Sequence, residues 1–114
     1  EEQLDIAMQL AEKEVRAGNR KTPTQVKQKI QDVLMRKGYS FSIVSDVLER
    51  IQLEREEDEW ADMIAAQGEK IWRKFASKFS GTERNMKVKQ ALYQKGFPIE
   101  VINRFIEEKE HEEV

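Results

Sequence analysis

A chain of 114 residues has room for one ordinary domain, or for two small units of about 55 residues each. Apolar residues at 39%, charged residues at 37%, 5 glycines and 2 prolines favour long helices over a strand-and-turn fold, and the absence of cysteine excludes disulfide frameworks, thiol nucleophiles and zinc–thiolate sites. The net charge of −2 conceals strong local charge, and apolar runs such as Ile64-Ala65-Ala66 are too short to span a membrane. No signal-peptide pattern opens the chain, which reads as an intracellular, cytoplasmic address. The first residue is Glu1 rather than Met, so the sequence reads as a piece of a longer protein.

The first element is a helix over about 2–17, with Leu4, Ala7, Met8, Ala11 and Val15 on one stripe. Gly18-Asn19 ends it, because both residues tolerate the left-handed conformation of a helix stop. Thr22-Pro23-Thr24-Gln25 opens a second helix, about 23–37: a Thr hydroxyl accepts an orphan amide, Pro suits the first turn and Gln25 completes a capping box. That helix buries Val26, Ile30, Val33 and Leu34 and stops at Gly38. Ser40 starts the third helix, about 40–54, with Ile43, Val44, Val47, Leu48 and Ile51 as its apolar face. Nothing between Leu53 and Glu59 is Gly or Pro, and the expected break falls near Glu57, where the acidic run meets the positive end of a helix dipole. The plan then recurs over about 57–78 (Trp60, Ile64, Ile71, Phe75), 83–95 (Thr82 as cap, then Val88, Ala91, Leu92) and 98–111 (Val101, Ile102, Phe105, Ile106).

The recurrence is visible residue by residue. Residues 29–39 overlie 87–97 at an offset of 58: Lys29, Leu34, Lys37 and Gly38 recur identically, and Tyr39 is matched by Phe97. Upstream the offset is 56, placing Leu4 over Trp60, Met8 over Ile64 and Val15 over Ile71. The expected architecture is all-α: tandem three-helix units, 1–56 and 57–114, in an elongated, curved array. Charge follows the same period. The net is +6 over 13–37, −6 over 46–62, +7 over 70–95 and −4 from Glu100 onward.

Lys-Gly-Tyr/Phe followed by two apolar pairs, repeated on either side of a long aromatic helix, resembles the RecX family. Glu57-Asp58-Glu59-Trp60-Ala61, with the 70–79 segment, is similar to the start of a late RecX repeat. The resemblance covers essentially the whole chain and implies tandem three-helix units, of which these would be the C-terminal ones. It also implies a partner, the RecA recombinase filament, whose strand exchange and co-protease activity such proteins modulate and usually inhibit. No cofactor is implied.

Other readings stand beside it. A Lys-Gly-Phe loop between short helices also occurs in ubiquitin-associated domains, where the loop contacts the partner; as a purely structural feature, Gly38 and Gly96 are helix caps and Tyr39 and Phe97 core plugs. Helix-turn-helix DNA readers are another possibility, although no recognition helix is marked by Arg, Asn or Gln at its first turn. The candidate partner-binding and nucleic-acid-binding residues are Lys70, Arg73, Lys74 and Lys78, at i, i+3, i+4 and i+8 of one expected helix face, continued by Lys87, Lys89 and Lys95. Trp72 at the edge of this stripe either stacks on a base or anchors an interface, or packs at the edge of the core. Lys27, Lys29, Arg36 and Lys37 make a second basic patch. The one histidine, His111, has no second ligand beside it, and no catalytic constellation is evident, so an enzyme is not expected. Two functions remain in view: a RecX-type regulator acting by occupancy, and a stand-alone helical nucleic-acid-binding module.

Overall fold

The computed structural model describes residues 2–112, which form six helices with no strand among them. Contacts divide the chain into two compact units, the first ending at Glu54 and the second starting at Arg55.

In the first unit α1 (Glu2–Ala17), α2 (Pro23–Arg36) and α3 (Phe41–Arg50) all touch one another. Ala7 and Ala11 let α1 approach closely, while Val26, Ile30, Leu34, Val44 and Val47 fill the centre. Gly18 ends α1 for a reason other than the expected one. It does not adopt a positive φ; instead, a Cβ there would lie 2.9 Å from Cγ2 of Val26, so glycine is needed where the end of α1 meets α2. The capping box at the start of α2 is formed in full. Thr22 Oγ1 accepts from the Gln25 amide at 3.1 Å, and Gln25 Oε1 accepts from the Thr22 amide at 2.9 Å.

α2 ends in a Schellman turn. Gly38 has φ 91°, the Tyr39 amide donates to the Leu34 carbonyl and the Gly38 amide to the Met35 carbonyl, both at 3.1 Å. Ser40 Oγ then accepts from the Ile43 amide at 3.2 Å and opens α3. The third helix was expected to reach about 54, but it stops at Arg50. Ile51 turns to extended geometry, and from there burial alternates: Ile51 and Leu53 pack on the core while Gln52 and Glu54 face solvent. A two-residue period suits an extended strand of chain, and that pattern overrides the absence of Gly and Pro.

The second unit comprises α4 (Glu57–Ala76), α5 (Gly81–Gln94) and α6 (Ile99–Glu112). The acidic run starts α4 as expected near Glu57: the Glu56 amide donates to Glu59 Oε1 at 2.9 Å, and Glu57, Asp58 and Glu59 occupy the first turn. Met63, Ile64, Trp72, Val88, Leu92, Phe97, Ile102, Phe105 and Ile106 form the core, with Trp60, Ile71 and Phe75 packed partly against it. The Schellman turn recurs at Gly96, with φ 101°, the Phe97 amide on the Leu92 carbonyl at 3.2 Å and the Gly96 amide on the Tyr93 carbonyl at 3.0 Å. Phe97 is 1% exposed and meets Trp60 edge-on at 5.7 Å, which leaves no ring in that loop for a ubiquitin-like partner.

Thr82 was expected to cap α5. The helix instead begins at Gly81, whose φ of 60° turns the chain after an extended Ser80, so Thr82 lies in the first turn. Within α4, Gly68 is buried where α6 crosses, because a Cβ there would lie 2.8–3.1 Å from the Phe105 ring. No helix among the described residues is long and apolar enough to cross a membrane.

Candidate partner-binding face

The basic residues of 70–95 do not form one stripe. Lys70, Arg73 and Lys74 project into solvent from α4, but α4 ends at Ala76, so Lys78 lies in the following turn rather than on the helix face. The turn is closed by the amides of Lys78 and Phe79, which donate to the Phe75 carbonyl at 3.1 and 2.8 Å. Arg73 Nε pairs with Glu69 Oε1 one turn back at 3.2 Å while its side chain stays largely solvated.

Tertiary packing joins α4 to α5 at this point. Phe75 and Phe79 lie half-buried with ring centroids 6.5 Å apart. Lys74 Nζ stands 5.4 Å from the Phe75 centroid, and Lys87 Nζ from α5 stands 4.6 Å from the Phe79 centroid. Both are within cation–π reach. The result is a ledge of two ammonium groups and two rings, with Lys70, Arg73 and Lys78 on the same stretch of chain. Two residues along α5 from Lys87, Lys89 points away from this ledge. It lines a groove with Thr82, Asn85, Met86, Asn103, Ile106, Glu107 and Glu110. Lys95 caps the C-terminus of α5 and is exposed, a position favoured by the negative end of the helix dipole.

Trp72 is not a stacking platform. Its side chain is 7% exposed, meets Phe105 edge-on at 6.4 Å, and carries the Arg84 guanidinium over its ring at 4.3 Å. Trp72 lies 100° round α4 from Ile71 and four residues from Gly68, on the buried side, so the core claims the indole. Arg84 is the counterpart surprise. Counted with the basic run in the sequence, it is 6% exposed, and its Nε donates to Asn85 Oδ1 at 3.2 Å. The repeat carried the signal: the offset of 58 places Arg84 on Val26, a fully buried core position of the first unit.

The second basic patch is dispersed. Lys27, Lys29 and Arg36 are exposed along α2, and Lys37 is its C-cap. Lys27 and Lys29 are two residues apart and so point to different sides of the helix. Arg36 and Lys37 sit where the helix dipole favours cations.

One charged cluster holds α6 to α4. Lys109, with a side chain 14% exposed, pairs with Glu69 and, at 3.3 Å, with Glu112, and its Nζ lies 5.8 Å from the Phe105 centroid. The hydrogen bond from Lys109 holds the Glu69 carboxyl below the ordinary carboxylate range, against a smaller opposing effect of burial. The same bond raises the Lys109 ammonium above the ordinary lysine value. Among the described residues, no group of three or more His, Cys, Asp or Glu side chains is placed to hold a metal ion.

Each unit carries one copy of a known module. Residues 1–48 and again 57–106 match the family described as the third three-helix domain of RecX. The chain belongs to the RecX family. Regulatory protein RecX of Lactococcus lactis subsp. lactis (strain IL1403) is 40% identical over 104 residues, covering 90% of this chain and 38% of that protein. Regulatory protein RecX of Bacillus cytotoxicus is 36% identical over 109 residues, 96% of this chain and 40% of that one. That of Enterococcus faecalis is 36% identical over 112 residues, 98% of this chain and 42% of that one. The chain therefore spans about two-fifths of the length of these RecX relatives. No solved structure matches it.

Proposed function

We propose that this chain is part of a RecX-type regulator that binds the RecA–DNA filament and inhibits recombinase activity by occupying it, with no chemical step of its own. The observation that carries this reading is the RecX three-helix domain matched in both units of this chain, whose relatives are named regulatory proteins. The basic ledge of the second unit supports it, since a filament built on DNA offers phosphates and acidic protein surface to Lys70, Arg73, Lys74, Lys78 and Lys87. Such a protein works in the cytoplasm, where the recombinase and its DNA are. The test reverses the ledge: Lys70→Glu, Arg73→Glu, Lys74→Glu and Lys78→Glu together abolish inhibition of RecA strand exchange while helical content stays unchanged. Normal inhibition by the reversed protein would return those residues to a merely solvated surface.

A second reading, a helical module that binds single-stranded nucleic acid alone, is favoured by the Lys74–Phe75–Phe79–Lys87 ledge, which alternates cations with rings. Salt separates the two. Four cations engaged on single-strand phosphates give a log–log slope of about −3. The acidic segments 46–62 and 100–113 oppose DNA, so naked single strand binds weakly at physiological salt, and filament binds more tightly and with less salt sensitivity for its strength. Equal affinity and equal slope for both would favour the second reading.

A further inference from the structure

Among the described residues, the exposed large apolar ones are Ile6, Met35, Phe41, Met86, Tyr93 and Ile99, and four of them are related by the repeat. The offset that places Leu34 on Leu92 and Gly38 on Gly96 carries Met35 onto Tyr93 and Phe41 onto Ile99. Each pair flanks a Schellman turn: the first member stands in the last turn of α2 or α5, and the second is the first residue of α3 or α6. Phe41 is 73% exposed and Tyr93 61%. In the second unit Tyr93 and Ile99 line one cleft with Met86, Gln90 and the stem of Lys89.

The core has no use for these side chains. Leu34 and Leu92, one residue before Met35 and Tyr93, are the side chains of these turns that it buries, at 1% and 0% exposure. A solvated apolar pair that recurs at the same place in two divergent units marks a surface that something covers. Charge indicates the kind of occupant. Arg36 and Lys37 follow Met35, and Lys89 and Lys95 flank Tyr93, against Glu100 beside Ile99 and Glu107 and Glu110 in the adjoining groove. Lys89 is the charged side chain that lines the cleft of Tyr93 and Ile99, which suits an apolar side chain set among carboxylates. A nucleic-acid strand suits the site less, because only one member of each pair, Phe41 or Tyr93, has a π-face on which a base could stack.

We infer that Met35–Phe41 and Tyr93–Ile99 are two equivalent protein-docking points, each taking an apolar side chain flanked by acidic groups on a RecA protomer. The inference rests on the proposed function and deepens it: a filament repeats one surface on every protomer, and this chain repeats one apolar pair in every unit. The basic ledge of Lys74 and Lys87 is a separate surface that meets charge.

The test uses the full-length protein with Met35→Ser/Phe41→Ser, Tyr93→Ser/Ile99→Ser, and all four changes combined. These are surface positions, and circular dichroism verifies that the helices persist. Affinity is read on RecA filament assembled on single-stranded DNA with a non-hydrolysable ATP analogue, and on the same DNA naked. Each double variant loses about tenfold in filament affinity and the combined variant about a hundredfold, while naked-DNA affinity changes less than twofold. A photo-crosslinking residue in place of Tyr93 joins the protein to RecA. Filament affinity within twofold of wild type in all variants would overturn the docking points alone. So would an equal loss on naked DNA, which would make them a stacking surface, or crosslinks confined to the protein's own chain or a second copy. Failure of the wild-type protein to bind the filament would overturn the proposed function itself, and the docking points with it.

Discussion

Gly68→Ala is the most informative single change in the second unit. In an exposed helix interior this substitution stabilises by about 1 kcal/mol, since alanine loses less backbone freedom than glycine. At position 68 the new methyl would lie 2.8 Å from Cζ of Phe105 and 3.0–3.1 Å from both Cε atoms, closer than carbon atoms rest. The ring cannot swing away freely, because Trp72 holds its edge and the Lys109 ammonium lies over it. Inserting one methyl into such a contact costs about 1–3 kcal/mol, which offsets the propensity gain and leaves a net loss of up to about 2 kcal/mol. The assay is urea unfolding, with Phe105→Leu as the second arm of a double-mutant cycle. In the Phe105→Leu background, Gly68→Ala becomes neutral or stabilising, so the cycle yields a coupling of at least about 1 kcal/mol. If Gly68→Ala stabilised the wild-type protein by the full helix-propensity increment, the close packing of α6 on α4 at Phe105 would be refuted.

Leu34→Ala and Leu92→Ala remove repeat-equivalent, fully buried side chains and each costs about 2–5 kcal/mol, read as a lowered denaturation midpoint; a loss below about 1 kcal/mol at either site would contradict its place in the core. The Glu69–Lys109 pair makes the second unit sensitive to pH at both ends. Because the Glu69 carboxyl is held below its ordinary value, its contribution is present above the unfolded carboxylate pKa of about 4.3 and is lost as pH falls through the folded value. Because Lys109 is held above its ordinary value, its contribution is full below about 10.4 and is lost as pH rises through the folded value. Thermal melts from neutral pH into acid therefore fall less steeply for Glu69→Gln than for the wild type, and parallel curves would show the pair to be energetically idle.

What the sequence determined by itself is whatever depends on neighbours a few residues away. Thr22 and Gln25 cap each other across three residues, Gly38 and Gly96 close turns whose hydrogen bonds reach back no more than five, and Ser40 opens α3 through Ile43. The apolar stripes, and with them the helices and the repeat, are likewise local patterns, which is why the all-α reading and the RecX resemblance were legible. The tertiary structure alone decided the rest. Ile51 and Leu53 end α3 because the core draws them in, although the residues that follow would have continued a helix. The repeat marks the position of Arg84 as a core one, but the Trp72 ring that takes up its guanidinium is brought there only by the packing of α4 on α5. The ledge exists only because Phe75 and Phe79 of one segment bring Lys74 to the same side as Lys87 of another, thirteen positions along the chain. A charge pattern records how many cations a segment carries. Which of them share a surface depends on how α4 and α5 pack, and that is set by side-chain volumes and ring contacts between residues distant in sequence.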